Sequence, residues 1–328
     1  MRTKIDVKAI QAVLPVQSME DLPAILNERY RRLARRGSNI KFGYKPDFLR
    51  QLSMEDILLL NLDDEPKQLS LLAAIAYAQT GNERGLRNHL IAYVRLDLLK
   101  WSALPPSLDP RTDAIRSIGP SAIAALAPLD QECFEGHVHG VTKLLPANFG
   151  DPLISVFSNL LVGLAHRTQY QLALNGVDEY LAEERPAFDA WLVTFLRGLL
   201  LGDASILSES FERIVSLHRR SSWVSTRFPV NKYVPVLLIG LYFLAERYLP
   251  KPAFQTINLL SFLQDWATFI RYVERVRHEP AEAAVRFSGE TDFLNEMMAN
   301  PQAAQAALRR RVHTAWIADL KVKKAPLS

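Results

Sequence analysis

The stretch from Trp191 to Trp223, WLVTFLRGLLLGDASILSESFERIVSLHRRSSW, constrains the fold of this chain more than any other. It predicts two helices joined at Gly202-Asp203, because apolar residues recur at helical spacing on both sides of that pair. Glycine supplies the left-handed residue that ends a helix, and aspartate can cap the start of the next one. A hairpin this apolar must pack both of its stripes against other helices. We therefore expect it to lie at the centre of a helical protein, covered by the rest of the chain.

A second stretch, from Leu71 to Trp101, lies nearly in register with the first. Gly81-Asn82 takes the place of Gly202-Asp203, and the second helix again runs to a tryptophan. The match indicates an internal repeat of helical hairpins. Such hairpins also suggest a helical-repeat scaffold that binds peptides in a groove. The glycine and tyrosine signature of tetratricopeptide repeats is missing and the spacing is irregular, so this function is kept only as an alternative.

The remaining segments also show helical periodicity, including one long aromatic-rich helix predicted over Ala253 to Arg277, and none shows a convincing strand pattern. We predict an all-α fold, in which helical hairpins pack as an irregular bundle or repeat-like array in a single large domain. Residues 1–45 are expected to form N-terminal helices and a loop, and residues 46–280 the main hairpin domain. Residues 281–328 are expected to add a C-terminal helix and a basic tail that packs on this domain or extends from it.

Composition indicates a folded globular protein, because 48% of the 328 residues are hydrophobic and 23% are charged. The single cysteine, Cys133, excludes an intrachain disulfide and has acidic neighbours, so we expect a plain buried or half-buried thiol in a reducing compartment. Charges at Lys4, Asp6 and Lys8 interrupt the apolar core that a signal peptide needs, and no apolar run is long enough for a membrane span. We expect a cytoplasmic protein with no membrane partner.

No motif in the sequence carries catalytic or cofactor chemistry. His137 and His139 have no further ligands at metal-binding spacing, and are expected to be polar residues on a loop or a partly exposed helix. His218 is expected to be a partly charged residue near a helix C-terminus, where the helix dipole stabilises it. Walker and nucleophile-elbow patterns are absent. We predict that the chain is not an enzyme and has no catalytic, metal-binding or cofactor-binding residues.

The net charge of +4 is small, and the charged residues occur in local clusters that are candidates for partner contacts. The acidic candidates lie in a predicted loop and in a later polar segment, and are Asp63, Asp64, Glu65, Asp178, Glu179, Glu183 and Glu184. The basic candidates lie on the predicted helix RYRRLARR, and are Arg29, Arg32 and Arg36. Binding of nucleic acid through Arg29 to Arg36 is an alternative function, because such arginines can grip phosphate. No recognition-helix pattern accompanies these arginines, which favours a solvated helix face.

One further pattern follows the Gly202-Asp203 turn. The second helix ends in Leu-His-Arg-Arg-x-x-Trp (Leu217 to Trp223), and an irregular stretch and an apolar helix lead to Ala-Glu-Arg-Tyr-Leu-Pro (Ala245 to Pro250). This order resembles the immunity protein 49 family of bacterial polymorphic toxin systems, and the hairpin from Leu71 to Trp101 is similar to the family's N-terminal half. The resemblance covers about Leu69 to Pro250.

The resemblance implies an all-α cytoplasmic protein that is encoded beside a toxin, binds it and neutralises it by occlusion, without catalysis. A basic toxin would suit the acidic candidates, and an acidic toxin would suit the arginine helix. The sequence leaves this choice open. It also leaves open whether the apolar helices near Val236 and Phe262 form a core or the face of a homo-oligomer.

Overall fold

A computed structural model describes residues 5–14, 18, 21–36, 46–62, 65–104, 119–138, 144, 152–166, 170–222 and 229–324 of the chain. Within these ranges the regular structure is helical and contains no strand, which confirms the predicted all-α fold. The helices pack as one domain around a continuous apolar core. No helix in the described ranges combines the length and the apolar character needed to cross a bilayer.

Eight helices are described up to residue 138. They are α1 (Val7–Gln11), α2 (Asp21–Arg36), α3 (Pro46–Leu49), α4 (Met54–Leu60), α5 (Glu65–Thr80), α6 (Glu83–Ser102), α7 (Pro120–Leu126) and α8 (Gln131–Val138). The helices described after them are α9 (Pro152–Ala165), α10 (Tyr170–Leu181), α11 (Ala187–Leu201), α12 (Ala204–His218), α13 (Val236–Tyr248), α14 (Lys251–Ile257), α15 (Ala267–Arg275), α16 (Phe293–Ala299) and α17 (Pro301–Lys324). Short 3₁₀ segments occur at Pro229–Lys232, Leu259–Trp266 and Gly289–Thr291.

Both predicted hairpins are confirmed, as α5–α6 and α11–α12, and their turns have nearly the same geometry. Gly81 and Gly202 adopt left-handed φ angles of 63° and 67°. Asn82 (φ −87°, ψ 107°) and Asp203 (φ −87°, ψ 103°) then cap the next helix, because each side chain accepts hydrogen bonds from backbone N–H groups of its first turn. The end of the second hairpin at Trp223 lies outside the described residues.

The central helix of the fold is α6, and the expectation that the α11–α12 hairpin takes this place is wrong. Helix α6 packs against α4, α5, α7, α8, α15, α16 and α17. The α11–α12 hairpin packs mainly on α9, α10 and α14, and α12 keeps an exposed side that includes Glu209 and Glu212. The sequence of α6 resembles that of a surface helix because it carries Arg87 and Arg95, and both of these arginines are buried.

The buried arginines connect α6 to the turn between α7 and α8. Nε of Arg95 donates to the Asp130 carboxylate at 2.7 Å, in a pair whose side chains are 5% and 1% exposed. Nη1 of Arg95 also donates to the Met298 carbonyl in α16, and Asp130 accepts a hydrogen bond from the backbone N–H of Cys133 at 3.2 Å. Arg87 donates to the Pro128 carbonyl in the same turn. The Arg95–Asp130 ion pair therefore connects α6, the α7–α8 turn, the start of α8 and α16.

Helix α13 lies unusually close to α7 at Gly240. A Cβ atom built on Gly240 would be 2.1 Å from the Ile123 carbonyl oxygen and 2.6 Å from Cγ2 of the same residue. Cβ atoms do not occur at such distances from backbone atoms, so only glycine fits this position without a shift of one helix. The contact fixes the position of α13, whose N-terminal part lines a cleft described below.

The single long helix predicted over Ala253 to Arg277 is wrong. Helix α14 ends at Ile257, because Asn258 adopts a left-handed φ of 47°. A 3₁₀ segment then runs from Leu259 to Trp266, and α15 begins only at Ala267. The break places Phe262 and Trp266 on a short wall beside the end of α12.

Candidate functional site

The four acidic candidates from the later polar segment lie together where α10 ends and the chain turns toward α11. We call Asp178, Glu179, Glu183 and Glu184 the acidic end of α10; all four residues are exposed. Asp178 pairs with Arg197 of α11 at 3.3 Å, and Glu183 pairs with Arg185. Among the described residues, no ion pair is formed by Glu179 or Glu184. Two carboxylates in this group therefore keep their charge available to a partner.

The acidic end of α10 is held rigidly. Val177 and Tyr180, on the opposite side of the helix, are buried in the core. The guanidinium of Arg185 lies 4.3 Å from the centre of the Tyr180 ring, and its Nε donates to the Tyr180 carbonyl at 3.2 Å. This contact fixes the turn that carries Glu183 and Glu184.

Acidic residues at this position oppose the helix dipole. The C-terminal end of a helix carries partial negative charge, so cations stabilise it and carboxylates there cost about 0.3–1 kcal/mol each. On the same face of α10, two turns before Glu179, Leu172 is 63% exposed. Locally unfavourable charge beside an exposed apolar side chain is typical of a surface that serves binding rather than stability.

The basic candidates on α2 are largely paired within the molecule. Arg29 contacts the Glu65 carboxylate and donates to the Asn61 carbonyl at 2.8 Å. Arg31 makes a two-point contact with Glu290, and Arg32 lies 3.7 Å from Glu28. These carboxylates offset part of the positive charge that α2 would offer to phosphate, whereas Arg35 is exposed and forms no ion pair with a described residue. The side chain of Arg36 lies outside the described residues.

The prediction that Glu65 belongs to an acidic loop is wrong. Glu65 is the first residue of α5, is only 2% exposed, and is covered by its contact with Arg29. A carboxylate is favoured in the first turn of a helix, which explains its place there. Asp63 and Asp64 lie outside the described residues. The structure brings together the four acidic candidates at the end of α10 and in the turn that follows it.

A cleft of about 470 Å³ lies between the end of α12, the 3₁₀ segment Pro229–Lys232, the start of α13 and the 3₁₀ segment Leu259–Trp266. Its apolar walls include Leu238, Phe262 and Trp266. Two buried polar side chains, His218 and Asn231, also line it. Nε2 of His218 and Nδ2 of Asn231 have no hydrogen-bond partner of normal geometry among the residues that the structure describes.

His218 is only 3% exposed, and the expectation that it is a partly charged residue is wrong. Burial lowers the pKa of His218 from 6.5 to about 4; the nearby Asn231 side chain raises this pKa and the charge of Arg219 lowers it. The imidazole is therefore neutral at physiological pH. Although His218 is at the C-terminal end of α12, the loss of hydration outweighs the helix dipole.

We expect this buried histidine to make folding stability depend on pH. Between about pH 6.5 and pH 4 the unfolded chain binds a proton at His218 and the folded chain does not, so stability falls as the pH falls. The loss attributable to this group amounts to about 3 kcal/mol at pH 4. Urea unfolding at a series of pH values measures this loss of stability. His218→Gln should flatten the profile, and an unchanged profile in this variant would contradict the assignment.

Several groups in the cleft could not be identified from the sequence. Asn231 and Lys232 lie in a stretch between two prolines that shows no periodicity and no motif. Oδ1 of Asn231 accepts a hydrogen bond from the backbone N–H of Leu237 at 2.8 Å, which fixes the orientation of its amide. Only the tertiary packing of α12, α13 and the 3₁₀ wall brings these side chains together.

Other reactive side chains are part of the core. Cys133 is fully buried, as predicted, and burial together with the Asp130 carboxylate raises the pKa of its thiol well above the usual value. His137 is also fully buried on α8, so the expectation of a polar or partly exposed residue is wrong; His139 lies outside the described residues. No metal-binding group of three or more acidic, histidine or cysteine residues occurs in the part of the chain that the structure describes.

The Ala-Glu-Arg-Tyr-Leu-Pro run joins α13 to its neighbours. Glu246 accepts two hydrogen bonds from Arg277, which follows α15, at 2.7 and 3.0 Å. Arg247 lies 3.4 Å from Glu135 of α8, and its guanidinium is 5.1 Å from the centre of the Phe134 ring. These side chains connect helices, which agrees with the structural character of the motif.

Comparisons of the chain with protein-family models, curated proteins and solved structures gave no match.

Proposed function

We propose that the chain is an immunity protein that binds a basic bacterial toxin and neutralises it by occlusion, without catalysis. The observation that carries this proposal is the acidic end of α10, where Glu179 and Glu184 are exposed without ion-pair partners at the end of a helix that disfavours negative charge. The exposed side chain of Leu172 adds an apolar contact on the same face. The pairing of the α2 arginines favours a basic partner over an acidic one or a nucleic acid.

The structural setting of the acidic end suits occlusion. A rigid surface loses little conformational entropy on binding, and α10 is anchored by buried residues on its opposite side. Its exposed carboxylates would attract a basic toxin and speed their encounter. A surface that covers the active site of an enzyme needs only to be complementary and to bind tightly.

Co-expression with the product of the neighbouring gene tests this function. We expect that product to arrest growth when expressed alone, to be harmless together with this chain, and to co-purify with it in a stoichiometric complex. A product that is harmless alone, together with the absence of a complex on co-purification, would contradict the proposal. Retardation of DNA or RNA that weakens steeply with salt would favour the nucleic-acid alternative instead.

Charge reversal at the acidic end should separate binding from stability. The double variant Glu179→Lys/Glu184→Lys is expected to weaken the complex by about a hundredfold, because it places cations against a basic partner. Its thermal stability should be equal or slightly higher, because lysine suits the C-terminal end of a helix. Titration calorimetry and thermal unfolding measure the two effects.

The matched control is Glu209→Lys/Glu212→Lys on the exposed side of α12, which makes the same change in net charge elsewhere. This control should bind with nearly the wild-type affinity. Equal weakening in both double variants would show that only net charge matters, and would remove the acidic end of α10 from the interface.

A further inference from the structure

We propose that the cleft beside His218 binds a small organic carboxylate that carries a flat apolar body. The proposal concerns a site separate from the acidic end of α10 and does not rest on the proposed immunity function. The volume of the cleft beside His218, about 470 Å³, falls within the range of small-molecule sites in proteins.

The first argument is the buried amide of Asn231. Since Oδ1 of Asn231 accepts the backbone N–H of Leu237, Nδ2 must face the other way. The Asn231 and His218 side chains interact with each other, but among the described residues neither Nδ2 of Asn231 nor Nε2 of His218 has a hydrogen-bond partner of normal geometry. A buried donor without a well-placed acceptor is unfavourable, and a ligand oxygen would satisfy it. In the tautomer protonated at Nε2, His218 would be a second donor in the same cleft.

The second argument is the charge at the rim. Arg219 and Lys232 both line the cleft, both are exposed, and neither forms an ion pair with a described residue. Asp265 is the one acidic residue among the described residues of the lining, and it already takes part in another interaction. With His218 neutral, the described residues of the lining carry an excess of positive charge, which favours an anion over a neutral or cationic ligand.

The third argument is the shape of the walls. Phe262 and Trp266 of the 3₁₀ segment and Leu238 of α13 line the cleft, so its walls are aromatic and aliphatic. The two rings are held in place because Phe262 packs on Phe211 and Trp266 on Tyr77. Such surface favours a flat apolar body. One fixed amide donor and an imidazole match the two oxygens of a carboxylate. Phosphate sites are more often formed by several backbone N–H groups or by arginine forks.

A titration with model compounds tests the proposal, with indole-3-acetate as the probe and its neutral amide and inorganic phosphate as comparisons. Ligand-observed NMR with the full-length protein is expected to show indole-3-acetate binding with a Kd of about 1 mM, a usual value for a compound of this size. The amide should bind at least about threefold more weakly, and phosphate should not compete. No binding of indole-3-acetate at about 20 mM, equal binding of the amide, or displacement by phosphate would each overturn the proposal.

Variants then locate the binding. Arg219→Gln and Lys232→Gln should each weaken indole-3-acetate binding by about three- to tenfold, while Arg220→Gln, the exposed neighbour outside the lining, should leave it unchanged. Asn231→Asp keeps the acceptor for the Leu237 N–H but replaces the donor with a negative charge, and should weaken binding more than about tenfold. An unchanged Kd in both Arg219→Gln and Lys232→Gln would overturn the proposal even if Asn231→Asp fails to fold.

Discussion

Gly240→Ala is expected to destabilise the protein by about 3 kcal/mol or more, because a methyl group cannot fit between α13 and α7. The added Cβ would lie 2.1 Å from the Ile123 carbonyl oxygen, which is a backbone atom that no rotamer change can move. One of the two helices must shift, and both are packed in the core. Equilibrium unfolding in urea measures the effect as a lower midpoint at an unchanged slope.

The matched control for this prediction is Gly176→Ala on α10. Nothing lies within 4 Å of a Cβ built on Gly176, and the residue is within a helix. Alanine there should leave stability unchanged or raise it by up to about 1 kcal/mol, because glycine loses more backbone freedom on folding. Similar free energies of unfolding for Gly240→Ala and Gly176→Ala would show that α7 and α13 are not packed as described.

Asp130→Ala is expected to cost about 3–5 kcal/mol, since it leaves the Arg95 guanidinium buried without a counter-charge. Asp130 is only 1% exposed, and it also accepts the backbone N–H of Cys133 at the start of α8. The double variant Arg95→Met/Asp130→Ala should lose less than the sum of the two single variants, because neither charge then remains unpaired. A double-mutant cycle from urea unfolding gives this coupling energy directly.

The exposed pair between Arg84 and Glu282 provides the control for the buried one. Its side chains are 67% and 64% exposed and lie 3.4 Å apart. Arg84→Ala should change stability by less than about 1 kcal/mol, as is usual for surface pairs in water. Equal losses in Asp130→Ala and Arg84→Ala would show that the Arg95–Asp130 pair does not hold the α7–α8 turn against α6.

The fold class could be predicted because the hairpin turns are coded locally. Gly81-Asn82 and Gly202-Asp203 each place a residue that tolerates a left-handed conformation before one that caps a helix, and both adopt this geometry. Apolar periodicity then predicts the helices on either side of each turn, α5 and α6 in one hairpin and α11 and α12 in the other. These signals depend on only a few neighbouring residues, so they can be read without knowledge of the tertiary fold.

The position of α6 could not be predicted in the same way. Its buried residues surround the helix rather than forming one stripe, and they include Arg87 and Arg95. Sequence periodicity treats an arginine as exposed, whereas here each finds acceptors in distant parts of the chain, such as Asp130 and the Pro128 carbonyl. The burial of a charge depends on the tertiary fold. For the same reason the sequence indicates an exposed loop at Glu65, whose burial depends on its contact with Arg29.

For a related reason, the acidic end of α10 could be predicted from the sequence and the cleft beside His218 could not. The acidic end of α10 consists of neighbouring residues in one polar segment, so its members could be named from the sequence. The cleft combines His218 and Asn231 with Trp266, from three separate segments, and depends on the break at Asn258 that no periodicity revealed. The charge state of its buried histidine cannot be predicted from the sequence, because the helix dipole can be inferred from sequence and desolvation cannot.

Hydrogen exchange of the chain alone and with the product of the neighbouring gene, the partner we propose, tests the central claim most directly. The claim is that this proposed partner binds at the acidic end of α10. We expect amide exchange to slow in the second half of α10 and in the turn at residues 182–186 when the complex forms, and to stay unchanged on α2. Protection on α2 with no change at the acidic end of α10 would contradict the account.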